Sequence, residues 1–291
     1  MNAPELSICI YTYNSAHFLP DAIGSVMRQG LEDFEIVIVD NASQDDTEAL
    51  VRGLNNQYIR YFKNPENFGP HYSATRCIAE ARGKYMRHLC ADDVLVDGVL
   101  LKQMEVLRRR PDVALVTCDL CATDSELREG NIFREFPGEC SAERMLNLCL
   151  SGLGNYIGGP SSIMFRRKDA EDLLFDSSYW WVSDLKFGLQ LLRHGAYVNI
   201  DEVGYLYRRH PNTGTELYCP NEIRMPNYFR LVDEFDWWNP LNCLQAIRRG
   251  GREGRKIVFK RWSRACRPKS VANALRSFGD VLHMRRTRFK G

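Results

Sequence analysis

A chain of 291 residues with 44% hydrophobic content has ample material for a core, and its length allows one large α/β domain or one domain with a tail. It has no run of about 18 apolar residues, the least that spans a membrane; its first five residues are too short and polar for a signal peptide; and its ten cysteines are scattered, as in reduced, buried thiols, rather than framed as disulfides. The net charge of +2 conceals a split, because residues 248–291 hold 15 Lys and Arg against Glu253 and Asp280, a net of +13, while residues 1–247 hold 24 against 35 acids, a net of −11.

Leu6 to Tyr11 is a continuous apolar run, the signature of a strand buried on both faces. Turn chemistry follows in Thr12-Tyr13-Asn14-Ser15, and then a helix with Leu19, Ala22, Ile23, Val26 and Met27 on one stripe and Pro20 near its start. Phe34 to Val39 is a second buried strand ending in Asp40, with a polar loop from Asn41 to Thr47 leading into a helix. Tyr58 to Phe62 is a third strand, and Tyr72 to Arg82 a helix with Gly83 at its C′ position. Tyr85 to Cys90 is a fourth strand that runs into Asp92 and Asp93 ahead of a helix carrying Val99, Leu100, Met104 and Leu107; Pro111 stops that helix, and Val113 to Cys118 is another strand. Strand and helix thus alternate through residue 118, which predicts right-handed βαβ units on a parallel sheet.

From Asp119 to Gly159 the rhythm is lost. Cys118 and Cys121 have metal-like spacing, but no second pair stands at ribbon spacing. Ser141 to Leu150 is helical in pattern, and the glycine-rich stretch from Ser151 to Pro160 fits either a mobile loop over a site or a plain connector. Ser161 to Phe165 is predicted as a strand, Asp184 to Arg193 as a helix, and Tyr197 to Ile200 as a short strand ahead of the segment Gly204 to His210.

Strands of the first half end at polar residues: Tyr13 and Asn14 after the first, Asp40 after the second, Asp92 and Asp93 after the fourth. Parallel strands set such ends along one rim, where open α/β sheets bind ligands. Adjacent carboxylates there suit a hard divalent cation shared with substrate phosphates, although one Asp capping the helix with the other solvated would give the same pattern. Neither a Walker sequence nor a GxGxxG is present, so phosphates would be held through metal rather than by a glycine loop.

Ile8-Cys9-Ile10-Tyr11-Thr12-Tyr13-Asn14, the segment Glu35 to Ser43 with Asp46-Thr47, and Gly83-Lys84-Tyr85 running to Leu89-Cys90-Ala91-Asp92-Asp93 resemble, in order and spacing, family 2 glycosyltransferases of the GT-A fold, over roughly residues 5–215. The resemblance implies an α/β fold with a mostly parallel central sheet flanked by helices, divided here into a catalytic domain over 1–235 (nucleotide-sugar half 1–118, acceptor half 119–235) and a basic helical extension over 236–291. It implies a nucleotide-diphosphate sugar donor and Mn²⁺ or Mg²⁺. Tyr11, Tyr13, Asn14 and Asp40 would line the nucleotide pocket, Asp92 would bind the metal on the diphosphate, and His210, after Arg208, would add a ligand. Cys90 stands where the family's first DxD Asp belongs, and Thr12 where Pro is frequent. Asp184, opening a helix in the second half, matches the family's general base; by itself it would read as a helix N-terminal charge. Asp93, Trp180 and Trp181 are placed on the acceptor side. The expected reaction is inverting transfer to a hydroxyl of a glycan or lipid-linked acceptor in cell-surface polysaccharide or glycolipid synthesis.

The basic segment 248–291 interleaves apolar residues such as Trp262, Val271, Leu275 and Phe278 with its charges. It fits an amphipathic face on an anionic membrane or a pair of helices docked on the acidic body. A cytoplasmic protein, peripheral on the inner membrane face and without a nucleic-acid partner, is the resulting expectation. The rival readings are a nucleotidyltransferase, which would need a glycine-rich, basic signature after the first strand, and a non-catalytic nucleotide-sugar binder.

Overall fold

The computed structural model describes residues 3–128, 130–152, 154–214, 221–249, 261 and 265–276. Its first half follows the apolar pattern closely. Strands β1 (Leu6–Thr12), β2 (Phe34–Asp40), β3 (Ile59–Lys63) and β4 (Tyr85–Cys90) alternate with helices α1 (Leu19–Met27), α2 (Thr47–Gly53) and α3 (Pro70–Glu80). Then come β5 (Val94–Leu95), α4 (Val99–Arg109), β6 (Val113–Thr123), β7 (Asn131–Phe133), β8 (Glu139–Cys140), α5 (Ala142–Gly152), β9 (Met164–Arg166), α6 (Ser183–Leu191) and β10 (Ala196–Arg208). Helices α7 (Asn221–Glu234) and α8 (Pro240–Arg249) follow.

Among the described residues the strands form one sheet in the order β3-β2-β1-β4-β9-β6-β10-β5, with β7 on β6 and β8 on β10. β1, β2, β3 and β4 are parallel neighbours, as are β6 and β10, whereas β9 enters antiparallel between β4 and β6. The register pairs Thr12 with Asp40 and Tyr11 with Cys90, so these strand ends share one rim. Alternate residues of β1 serve opposite faces: Leu6, Ile8 and Ile10 join α1 and α4 in one core cluster, while Cys9 joins α3, α5 and α6 in the other. The result is the three-layer GT-A architecture expected, with helices on both sides of a mixed sheet.

Four local expectations are corrected. Met27 is 39% exposed, because the buried stripe of α1 is Leu19, Ala22, Ile23 and Val26. Gly83 is not a left-handed cap; α3 ends in the extended residue Ala81, and a Cβ on Gly83 would stand 2.5 Å from the backbone nitrogen of Ser7. The predicted strand at 161–165 is a 3₁₀ turn (Pro160–Ser162) followed by β9. The two short segments from Tyr197 on are one long strand, β10, whose bulges keep it beside β6 as far as Arg208 while its other edge pairs β5 at Tyr205 and Leu206.

Past the expected boundary at residue 235 the core is continuous: Leu231, Val232, Trp238, Cys243 and Ala265 belong to the cluster that holds α5 and α6. Each such side chain contributes roughly 1.5–3 kcal/mol of burial. The ion pairs Arg261–Asp233 and Arg267–Asp236 are partly or largely exposed and add little. The described part of the basic segment meets the body through Ala265 in that core, through a hydrogen bond from Asn147 Nδ2 to the Asn273 carbonyl at 3.0 Å and through these two ion pairs. Most of 248–291, including Trp262 and Phe278, lies outside the described residues. Among the described residues no helix is long and apolar enough to cross a membrane.

Candidate active site

The rim at the ends of β1, β2 and β4 opens into a cleft of ≈ 1430 Å³. Of the residues expected to act there, Tyr11, Tyr13, Asn14, Asp92, Trp180, Trp181, Asp184 and His210 line it. Asp40 and Asp93 do not.

Asp40 is fully buried. Its Oδ1 accepts the Ser43 backbone N–H at 2.8 Å and its Oδ2 the Tyr61 hydroxyl. It thereby anchors the loop after β2, and that loop is stitched to the turn after β1: Asn14 N–H donates to Ser43 Oγ and Asn14 Oδ1 accepts from Gln44 N–H, each at 2.8 Å. Asn14 sits at φ 50°, a conformation Asn tolerates better than most residues. Tyr13 is left 40% exposed in the cleft. The Thr12 hydroxyl, on the cleft wall, is buried without a hydrogen-bond partner.

Asp92 and Asp93 are adjacent in sequence and opposite in fate. Asp92 faces the cleft, its Oδ2 3.1 Å from His210 Nε2 across 118 residues of chain. Asp93, expected on the acceptor side, is 2% exposed; its Oδ2 accepts from Ser161 Oγ at 2.6 Å and its Oδ1 from the Arg208 backbone N–H at 3.3 Å. Burial, then the charge of Asp92, pushes its carboxyl pKa well up. Cys90 Sγ lies with both carboxylates inside a 4.8 Å cluster. Burial raises its thiol pKa too, which keeps it the protonated, soft partner. The usable donors are thus one carboxylate and one imidazole with open positions toward the cleft. That set fits a six-coordinate divalent cation that takes its remaining ligands from phosphate and water, Mn²⁺ more readily than Mg²⁺ because of the nitrogen.

Asp184 stands on another wall, in the first turn of α6. Its neighbours around a small apolar recess are Phe175, Phe187, Ile163 and the buried ring of His88. Desolvation there raises its pKa to about 6, against the opposing hydrogen bond from Leu185 N–H at 2.8 Å. The Tyr11 hydroxyl lies 3.5 Å from Cys90 Sγ; burial is the larger cause of its raised pKa, and the charges of Asp184 and Asp92 both add to it. Among the described residues lining the cleft, Asp92 and Asp184 are the only acids. Trp180 is propped by α3, since His71 meets its ring edge-on at 4.6 Å and its carbonyl at 3.2 Å.

The glycine-rich stretch is a fixed connector in its described part. Asn155 Oδ1 accepts from the N–H groups of Ile157 and Gly158, and Ile157 is fully buried; Gly154, Asn155 and Gly159 edge the cleft. Phe18, Asn67, Phe68 and His71 line the cleft without having been picked out from the sequence. Asn67, Phe68 and Gly69 lie in the loop between β3 and α3, and no periodicity marks a loop residue as a binding residue.

Comparison with known proteins places these observations. Residues 7–174 match the family described as "Glycosyl transferase family 2". The chain is 28% identical over 206 residues to an uncharacterized protein of Mycobacterium tuberculosis, covering 66% of this chain and 63% of that protein. It is 31% identical over 140 residues to the GalNAc(5)-diNAcBac-PP-undecaprenol beta-1,3-glucosyltransferase of Campylobacter jejuni, covering 47% and 43%. The chain thus spans less than two thirds of the length of either relative. The crystal structure of S. aureus TarS 1-349 in complex with UDP-GlcNAc superposes with a TM-score of 0.65 at 17% identity, over 95% of this chain and 80% of that one, a likeness of fold.

Proposed function

The chain belongs to glycosyltransferase family 2, and from that premise we propose that it moves a sugar from a nucleotide-diphosphate donor to an acceptor hydroxyl by a cation-dependent, inverting displacement. The observation that carries this reading is the division of labour between the cleft's two acids: Asp92 is paired with His210 on the rim, and Asp184 is unpaired in an apolar wall with its pKa raised to about 6. A carboxyl whose pKa is raised toward neutrality by an apolar site is suited to accept a proton.

Asp92 and His210 would hold Mn²⁺ or Mg²⁺, which when bound neutralises charge on the departing diphosphate. Tyr13 and the stitched loops after β1 and β2 hold the nucleotide, with Asp40 acting from beneath as their anchor. Tyr11, its hydroxyl on Cys90 Sγ, lines the same cleft. Asp184 accepts the proton of the acceptor hydroxyl as that oxygen attacks the anomeric carbon from the face opposite the diphosphate; one base and no protein nucleophile suffice for inversion. Trp180 and Trp181 offer ring faces on the acceptor side. The undecaprenol-linked acceptor in the name of the Campylobacter relative supports a lipid-linked glycan as acceptor, hence a role in cell-surface glycan synthesis at the inner membrane face. Val271 and Leu275, one helical turn apart and 38% and 70% exposed, sit in the basic segment as a face for an anionic bilayer.

The test is a panel of nucleotide-diphosphate sugars with Mn²⁺ or EDTA, read as thermal shift and as nucleotide release. Stabilisation and slow release that need the cation are expected for one donor class. No response to any donor, or equal response in EDTA, would sink the reading. For the membrane face, the full chain is expected to pellet with anionic vesicles and L275D to pellet less; equal pelleting by both removes that contact.

A further inference from the structure

Arg208 carries a side chain only 4% exposed, yet its partners are mostly uncharged. Nε donates to the Asp92 backbone carbonyl at 2.9 Å, Nη1 to the Ser125 carbonyl at 2.5 Å, and Nη2 to Asp21 Oδ2 at 2.7 Å. Its backbone N–H is in turn held by Asp93 Oδ1. The turn after β4 and the end of β10 therefore grip each other in both directions at one residue. Phe18, the residue that precedes α1, completes the assembly. Its ring lies under the Arg208 guanidinium at 4.9 Å and against the His210 ring at 4.5 Å and 33°.

We propose that Arg208, braced by Asp21 and Phe18, is the positioning residue of the cation site, holding Asp92 and His210 at a fixed separation before any cation arrives. Asp92 and His210 come from segments 118 residues apart. Without a brace, each cation-binding event would have to order both. Burying a guanidinium is costly unless its donors are satisfied, and here one donor holds the backbone carbonyl of Asp92, the other two tie the side chain to Ser125 and Asp21, and the Phe18 ring beneath it packs against His210. Outer partners that orient ligands change metal affinity about 10- to 100-fold when removed. Lysine cannot reproduce the grip, because one ammonium cannot span three acceptors set in a fork.

This inference rests on the cation reading above, and the experiment separates the two. Mn²⁺ binding to the full chain is followed by loss of the free-ion EPR signal, alongside the Tm in EDTA. Wild type is expected to bind one Mn²⁺, and D92A to lose it; no binding by wild type would overturn the cation site itself. R208M is expected to bind Mn²⁺ at least about tenfold more weakly, with R208K intermediate. D21N and F18L, at positions that are partly exposed, are expected to weaken it about threefold with an unchanged Tm in EDTA; they carry the test if R208M does not fold. Wild-type Mn²⁺ affinity in folded R208M, or in both D21N and F18L should R208M not fold, would leave Arg208 as a structural residue only and end the proposal.

Discussion

The rim that carries Asp92 and the wall that carries Asp184 are built in opposite ways from the same residue type. At the rim, carboxylates are surrounded by donors: Ser161, the Arg208 backbone, His210 and the Arg208 guanidinium one peptide away. At the wall, one carboxylate looks onto Phe175, Phe187 and Ile163 with backbone N–H groups, that of Leu185 among them, as its donors. At the rim the cleft-facing carboxylate of Asp92 has an imidazole beside it that a cation could share, whereas the apolar wall raises the pKa of Asp184 toward neutrality, where it can take a proton. The two side chains line one cleft, Asp92 from the turn after β4 and Asp184 from the first turn of α6.

The sharpest break is D184N, which empties the wall of its base and leaves the rim untouched. Transfer is expected to fall by about a thousandfold, with donor and Mn²⁺ affinity near wild type; a comparable loss of donor affinity would mean the two regions are not separable. Next is H210A, which should weaken Mn²⁺ binding by roughly 10- to 100-fold, with turnover largely restored at saturating Mn²⁺. Failure to recover at high Mn²⁺ would give His210 a role beyond holding the cation.

The pH profile is the third lever. Asp184 acts as a base only when ionised, so with its pKa at about 6 the rate should be flat above that pH and fall about tenfold per unit below it. A rate unchanged down to about pH 4.5 would place the base elsewhere. The smallest effect is on stability, and its sign is diagnostic. A carboxyl whose pKa is raised by folding costs stability once pH exceeds its unfolded value, and the cost is complete above the folded value of about 6. D184N should therefore raise Tm by a few degrees near neutral pH, with the gain shrinking as pH falls toward about 4. A gain that persists in acid would come from packing instead.

Much of the donor half was legible because each of its signals is local. The apolar runs at 6–11 and 34–39 can only be doubly buried strands, and parallel connection forces their ends, and that of 85–90, onto one rim. The resemblance in the motifs then named the chemistry. The acceptor half was less legible where two long-range choices were made: β9 inserts antiparallel between β4 and β6, and β10 bends through bulges rather than stopping at Ile200. The three residues of β9 are too few to show a period, and the bulges of β10 break the alternation that its thirteen residues would otherwise carry.

What the sequence determined by itself was the order of elements, the two faces of the sheet and the rim, because a two-residue alternation or a doubly apolar run fixes burial wherever the chain goes. Only the tertiary structure decided which of two neighbouring aspartates meets the cleft and which is locked beneath it. That choice belongs to Ser161 and Arg208, which lie 68 and 115 residues from Asp93. A buried polar group is satisfied by whatever donor the fold brings to it, and nothing in its own neighbourhood of the chain announces which donor that will be.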